Sequence, residues 1–156
     1  MNIQYVFILL DYPFLFYTWL IMKQVAKIVV VDENNNYLLM QRSDHPSFPN
    51  DPDLPGGIVE EGELPLDAML REVVEEAGFS IDRKVVERLY FGDEYSAHNT
   101  YYSLYKAKLV KRPEVIISWE HSSYEWIDRD LFIDRAKNAK DTYMHMVHDV
   151  ILDNNF

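Results

Sequence analysis

The apolar residues of this chain fall into short runs whose spacing changes along its length. Val25 to Val31 is β-branched and almost wholly apolar, Asp32-Glu33-Asn34-Asn35-Asn36 breaks it, and Tyr37 to Gln41 forms a second run. That pattern predicts a β-hairpin. Ser43 to Asp53 carries three prolines and polar residues around Phe48, which predicts an exposed loop of the kind that presents ligand-contacting groups. From Pro65 to Ala77 the period lengthens: Leu66, Met69, Leu70, Val73 and Ala77 share one side at about 100° per residue. Pro65 suits a first helical turn and Gly78 a C-terminal stop, so the spacing predicts a helix over 65–77. Val85 to Phe91, Thr100 to Leu109 and Tyr124 to Ile127 read as further strands. Asp141 to Leu152 reads as a closing helix, with Met144, Val147 and Ile151 at helical spacing. Strands before, between and after helices, with neither repeat nor linker, predict an α/β fold with a mixed sheet covered by helices.

The first 22 residues do not share this organisation: 17 of them belong to the AVILMFWY class and the single charge is Asp11. Ile3 to Met22 is long enough to cross a bilayer at about 1.5 Å per residue. Asp11 near its middle would cost about 3 kcal/mol, and Gln4 and Pro13 weaken a span further. No Lys or Arg precedes Lys23 and no small-residue cleavage site follows, which is not the pattern of a secretory signal. Met22-Lys23-Gln24-Val25 leads directly into the first strand, so Met22 is a candidate natural start; a packed extra element and a membrane anchor are the other readings. The expected division is residues 1–22 as an apolar extension and residues 23–156 as the folded domain.

Composition narrows the chemistry. The 156 residues contain no cysteine, which excludes disulfides, thiolate metal sites and a thiol nucleophile, and is compatible with the cytoplasm. Asp plus Glu number 26 against 15 Lys plus Arg, for a net charge of −11. Such a surface repels a nucleic-acid backbone, so no DNA partner is expected and an RNA 5′ end is disfavoured. Clustered acids instead suit divalent cations.

The clustering is sharpest in Gly57-Ile58-Val59-Glu60-Glu61-Gly62-Glu63 and Arg71-Glu72-Val73-Val74-Glu75-Glu76-Ala77-Gly78-Phe79. On the helix, Glu72, Glu75 and Glu76 stand at i, i+3 and i+4 and are expected on one arc opposite the apolar face. Like charges so close repel by about 1 kcal/mol per pair even in water, and a cation removes the conflict. Hard oxygen donors select Mg²⁺ or Mn²⁺ over zinc. A Glu-rich helix face is by itself usually just solvated. Here Leu54-Pro55-Gly56-Gly57 precedes it, a turn whose backbone can approach a metal or phosphate without Cβ hindrance. An ion pair between Glu63 and Arg71 could tie loop to helix.

The spacing G-x5-E-x7-R-E-U-x-E-E-x-G-U, with U a bulky apolar residue, is met in full from Gly57 to Phe79, and by it the sequence resembles the Nudix hydrolases. The resemblance extends more weakly from about Lys23 to Ile127. It implies an α/β/α sandwich with a central mixed sheet, and hydrolysis of nucleoside diphosphates linked to another moiety with Mg²⁺ or Mn²⁺. By position, Glu72, Glu75 and Glu76 resemble the family's metal ligands, with the Gly57 carbonyl as a further one, and Glu63 and Arg71 its structural ion pair. Arg42 resembles a residue that meets substrate phosphate; its alternative is a solvated strand-end arginine. Asp53 precedes Leu54-Pro55-Gly56-Gly57 where many relatives carry a tryptophan-containing loop, and Phe48 is the candidate substitute for base stacking. The proton of the attacking water goes to Glu75 or to Glu120, which resembles a loop glutamate serving as base or extra ligand; His121 is a further candidate near neutral pH.

Substrate signals are sparse. No proline lies between Phe79 and Pro113, where one would suggest ADP-ribose, and Tyr95 stands near the tyrosine associated with dinucleoside polyphosphate hydrolases. The least committal expectation is a MutT-like pyrophosphatase acting on a small nucleotide. The alternatives are a catalytically silent nucleotide sensor and a membrane-tethered enzyme.

Overall fold

A computed structural model of the chain describes residues 22–44, 48–96 and 99–154. The strands are β1 (Gln24–Val31), β2 (Tyr37–Arg42), β3 (Pro52–Asp53), β4 (Gly56–Ile58), β5 (Val86–Gly92), β6 (Tyr101–Lys108) and β7 (His121–Ile127). The helices are α1 (Pro65–Ala77), α2 (Arg129–Lys137) and α3 (Thr142–Asp153). All seven strands join one sheet with the path β3-β2-β1-β6-β5, β4 pairing with β1 and β7 with β2. β1 and β6 run parallel from Gln24↔Tyr101 to Val31↔Lys108, and the remaining pairs are antiparallel, so the sheet is mixed as expected.

The unbroken apolar run of β1 is explained by burial on both faces. Ala26, Ile28 and Val30 pack with Met69, Val73 and Ala77 of α1. Val29 and Val31 face the other way, into a core with Phe132 and Ala136 of α2 and Tyr143, Met144 and Val147 of α3. Strand alternation puts Lys27 on that second face, where it is buried. The helices therefore sandwich the sheet.

The hairpin forms where the polar break predicts it. Asp32 is buried and accepts the N–H groups of Asn34 (2.9 Å) and Asn36 (2.8 Å), closing the turn, with Asn35 at φ 62°. β1 and β2 pair only at Val31↔Tyr37, however, and then part. The far end of β1 takes β4, while β2 takes β3 and β7. Residues 53–56 enter the opening, with Ile28 N–H donating to Pro55 O at 3.0 Å. Gly56 sits there at φ 127°, and a Cβ on it would lie 2.2 Å from Ala26 O. Only glycine fits such an approach.

Three differences from the sequence reading concern short elements. α2 was not expected: it buries only Phe132 and Ala136, and its signal is the N-cap, Asp128, accepting from Leu131 N–H at 2.9 Å. β7 begins at His121 rather than Tyr124. Part of the supposed loop and glycine turn is strand, β3 and β4, because the parted hairpin leaves edges to pair. The readings of residues 1–22 fall outside the described residues, Met22 apart. Among the described residues no helix is long and apolar enough to cross a membrane.

Phe132 is fully buried and packs on Tyr37, ring centroids 4.9 Å apart. Phe132→Ala is expected to lower the unfolding free energy by about 3–5 kcal/mol in urea denaturation.

Candidate active site

α1 begins with Pro65 in its first turn and ends at Gly78, whose N–H still bonds Val74 O and whose φ of 76° turns the chain out of the helix. Arg71 organises the polar side of this helix. Its Nε and Nη2 fork onto the two oxygens of Glu63, both at 3.0 Å, and Nη2 also donates to Ile58 O at 3.3 Å. Its Nη1 donates to Glu72 Oε1 (2.7 Å) and Glu75 Oε2 (3.2 Å). The fork ties the Gly62–Glu63 loop to the helix, and the same guanidinium gathers two of the helix carboxylates. The hydrogen bonds from Arg71 hold Glu63 below its ordinary pKa, and those to Glu63 and Glu72 fix Arg71 more firmly in its charged form.

Glu76 departs from the expected arc. It is buried, and its Oε2 accepts the Gly56 N–H at 2.9 Å. The reason is angular: seven residues after Met69 and three after Val73, Glu76 lies on the apolar stripe rather than opposite it. Burial, reinforced by the negative charge of Asp53 and resisted by Lys27 and the Gly56 N–H, pushes its pKa up to about 7. Glu72 and Glu75 turn to Arg71 and Glu76 turns to β4, so the three carboxylates do not converge on a point: Glu72 lies against Gly57, Glu76 against Gly56, and Glu75 is held by Arg71.

A hard divalent cation fits this donor set. A Cβ on Gly57 would lie 2.7–3.0 Å from the Glu72 carboxyl group, so the absence of a side chain leaves Gly57 open to that group. The bonds from Arg71 use one oxygen of Glu72 and one of Glu75. Among the described residues no three His, Asp or Glu side chains are already gathered as a cage, and a cation that keeps several waters needs none.

Behind β4 lies a second polar cluster. Asp53 is buried; its Oδ1 accepts from Lys27 Nζ (3.0 Å), Leu54 N–H (2.8 Å) and the Tyr143 hydroxyl, and its Oδ2 from Arg42 Nε (3.0 Å). Arg42 is buried rather than solvated, and its Nη1 pairs with Asp141 Oδ2 at 2.9 Å. Burial would raise the Asp53 pKa, but Lys27, Arg42 and Tyr143 reverse this and hold it well below the ordinary value. His121 is also buried, its Nε2 3.5 Å from Asp53 Oδ2, and neither ring nitrogen makes a hydrogen bond among the described residues.

Glu120 stands one residue before His121 in a segment laced to the end of α1. Ile116 N–H donates to Ala77 O (2.9 Å) and Ser118 N–H to Glu76 O (3.0 Å), while Ser43 N–H and Oγ donate to Glu120 O at 2.8 and 2.9 Å. The Glu120 backbone is thus tied to Ser43 at the end of β2, two residues after Ser118, which bonds the end of α1. Phe48 is exposed, at φ 58°, in the loop before β3. Tyr95 lies on the opposite face of the sheet from α1, its hydroxyl donating to Asp149 at 2.8 Å. The residues the sequence reading missed are Lys27, Tyr143 and Asp141. Lys27 had a signal, as the one charge inside an apolar strand; Tyr143, one tyrosine among 11, had none.

Residues 22–148 match the NUDIX domain model, and the chain belongs to that family. Over 57 residues it is 40% identical to a putative 8-oxo-dGTP diphosphatase of Bacillus subtilis, a match spanning 36% of this chain and 36% of that relative. Its fold is similar to a MutT protein from Methanosarcina mazei, with a TM-score of 0.65 at 19% identity over 85% of this chain and 95% of the other. It is also similar to the NUDIX domain of NrtR from Shewanella oneidensis, solved in complex with ADP ribose, with a TM-score of 0.67 at 19% identity over 86% and 89% of the two chains.

Proposed function

We propose that this chain is a Mg²⁺- or Mn²⁺-dependent pyrophosphohydrolase that cleaves the pyrophosphate linkage of a small nucleotide in the cytoplasm, residues 23–156 forming the enzyme. The observation that carries this reading is Arg71 forked onto Glu63 while holding Glu75 and Glu72, the latter against Gly57. A silent sensor tolerates loss of the acidic cluster, and this chain retains Glu72, Glu75 and Glu76.

Glu72, Glu75, Glu76 and the Gly57 carbonyl would hold the cation, with Glu120 as a further ligand if it is not the base. When bound, the cation neutralises phosphate charge and lowers the pKa of the attacking water. Arg71 keeps two ligands in place without competing for their second oxygens. Water attacks a phosphorus of the substrate: its oxygen bonds to phosphorus, the bond to the bridging oxygen breaks, and the leaving phosphate takes the electron pair. A carboxylate of the chain, Glu75 or Glu120, receives the proton. Arg42 is engaged by Asp53 and Asp141, so it supports the site from below unless substrate phosphate draws it away.

A panel of nucleoside triphosphates, nucleotide sugars and dinucleoside polyphosphates, assayed with each metal and with products resolved, tests the proposal. Absence of turnover on every member, with nucleotide binding retained, would favour the sensor. Glu75→Gln and Glu120→Gln separate the two bases. The variant lacking the base is expected to lose about 10²–10⁴-fold in kcat together with the acid limb of the pH–rate profile. The other is expected to weaken Mn²⁺ binding and keep that limb.

A further inference from the structure

Between Asp53 and Gly57 the backbone is held at each polar group from Leu54 N to Gly56 N. Leu54 N–H donates to Asp53 Oδ1 (2.8 Å) and to the Tyr143 hydroxyl (2.9 Å), and Leu54 O accepts from Lys27 Nζ (2.9 Å). Pro55 O accepts from Ile28 N–H (3.0 Å), and Gly56 N–H donates to Glu76 (2.9 Å). Pro55 has no N–H to satisfy. The bonds from Lys27 and Tyr143 come through the parted hairpin from the face opposite α1, and those two groups are joined to each other by Asp53 and by Lys27 Nζ lying 5.7 Å from the Tyr143 ring centre. Lys27 and Tyr143 are buried, so neither is placed to meet substrate.

Packing does not account for this cluster. Burying an ammonium, a guanidinium and a carboxylate is a costly way to fill space, and apolar side chains of similar volume do it as well. What the polar groups add is direction: Lys27, Asp53 and Tyr143 all bond the backbone of Leu54, the residue that opens the turn leading to Gly57. From this we propose that Lys27 and Tyr143, acting through Asp53, are positioning residues that fix Leu54, and with it the turn through Gly56, so that Gly57 is presented to Glu72 and Gly56 to Glu76. The inference rests on the reading of Gly57 and these glutamates as the metal-holding groups. Tyr143 belongs to α3 and lies 86 residues beyond Gly57, outside the span that carries the acidic residues.

The test is Tyr143→Phe in the full chain, which removes one hydroxyl and keeps the ring, measured alongside wild type and Phe132→Leu. Three measurements are made: Mn²⁺ affinity by calorimetry without nucleotide, amide hydrogen exchange at Leu54 and Gly56, and kcat and KM separately. Tyr143→Phe is expected to weaken Mn²⁺ binding about 10-fold, as loss of a group that orients metal ligands does. It is also expected to speed exchange at Leu54 and Gly56 and to lower kcat with KM for nucleotide little changed. Phe132→Leu loosens the same core layer and is expected to leave Mn²⁺ affinity at the wild-type value. A folded Tyr143→Phe with wild-type Mn²⁺ affinity and kcat overturns the inference, as does an equal loss in Phe132→Leu. Should Tyr143→Phe not fold, Lys27→Gln is read by the same measurements and decides in the same way. Failure of the functional proposal looks different: there the wild-type chain itself neither binds Mn²⁺ nor turns over any nucleotide.

Discussion

Glu76→Gln is expected to cut turnover by about 10³-fold or more and, in the same molecule, to raise the stability of the metal-free protein. The loss of turnover follows from removing a charged metal ligand held against Gly56. The gain follows from where the carboxylate sits. Glu76 is buried with Asp53 as a neighbouring anion, and its pKa rises from the ordinary 4.5 to about 7. The folded state therefore binds the proton more tightly than the unfolded chain. The contribution of this group to stability is fully present below about pH 4.5, falls as pH rises through about 7, and is gone above it. The difference corresponds to about 3 kcal/mol at alkaline pH. Glutamine keeps an oxygen to accept the Gly56 N–H and carries no charge, so it escapes that cost. Urea denaturation at pH 5 and pH 8.5 in the presence of a chelator measures it: the variant is expected to gain about 2–3 kcal/mol over wild type at the higher pH and little at the lower. Equal stabilities at both pH values would remove the argument from burial.

Asp53→Ala is expected to act in the opposite sense and to cost about 3–5 kcal/mol at neutral pH, because it leaves the Lys27 ammonium and the Arg42 guanidinium buried without their shared carboxylate. Asp141 still meets Arg42, but Lys27 keeps Leu54 O, the Tyr143 ring and the distant charge of Glu76, with no carboxylate in contact among the described residues. The pH dependence is again readable from the direction of the shift. The Asp53 pKa is held well below the usual 3.8, so its contribution is complete above that value and is lost as pH falls toward the folded value. Wild type is therefore expected to weaken on acidification below about pH 4 more steeply than Asp53→Ala, when both are unfolded by urea at a series of pH values. Parallel curves would show that Asp53 is not the paired carboxylate the geometry describes.

The helix carrying the acidic residues was legible because period and terminators agreed: Pro65, the Leu66-Met69-Val73-Ala77 side and Gly78 place it at the boundaries observed. β1 was legible as a strand because a core strand covered on both faces reads as a continuous apolar run. α2 was not, since nine residues with two buried positions leave almost no periodicity, and its start was written only in Asp128. β3 and β4 are two and three residues long, and they exist because β1 and β2 part, which no local pattern announces. In the site, the Glu63–Arg71 pair followed from residue type and spacing. The inward turn of Glu76 did not, because a glutamate in an acidic run reads as solvated even when it occupies the apolar stripe. Arg42 read as a substrate or solvent contact for the same reason, its partners Asp53 and Asp141 being remote in sequence from each other.

The bonds that fix the wedge between β1 and β2 join groups far apart along the chain: 26 residues for Lys27 with Asp53, 89 for Leu54 with Tyr143 and 90 for Tyr143 with Asp53. Contacts of such separation form late in folding, after closure of the intervening loop has been offset by other contacts. The helix bearing the acidic residues can form earlier from partners within its own 13 residues, whereas the sheet needs pairings as distant as the wedge, 77 residues for Gln24 with Tyr101 and 90 for Tyr37 with Ile127, and α3 closes the back of the wedge. A folding intermediate without α3 would hold every residue of the acidic motif and still lack a fixed Gly57. During refolding, therefore, tight Mn²⁺ binding is expected to appear with the last structural phase rather than with the helix that carries the glutamates.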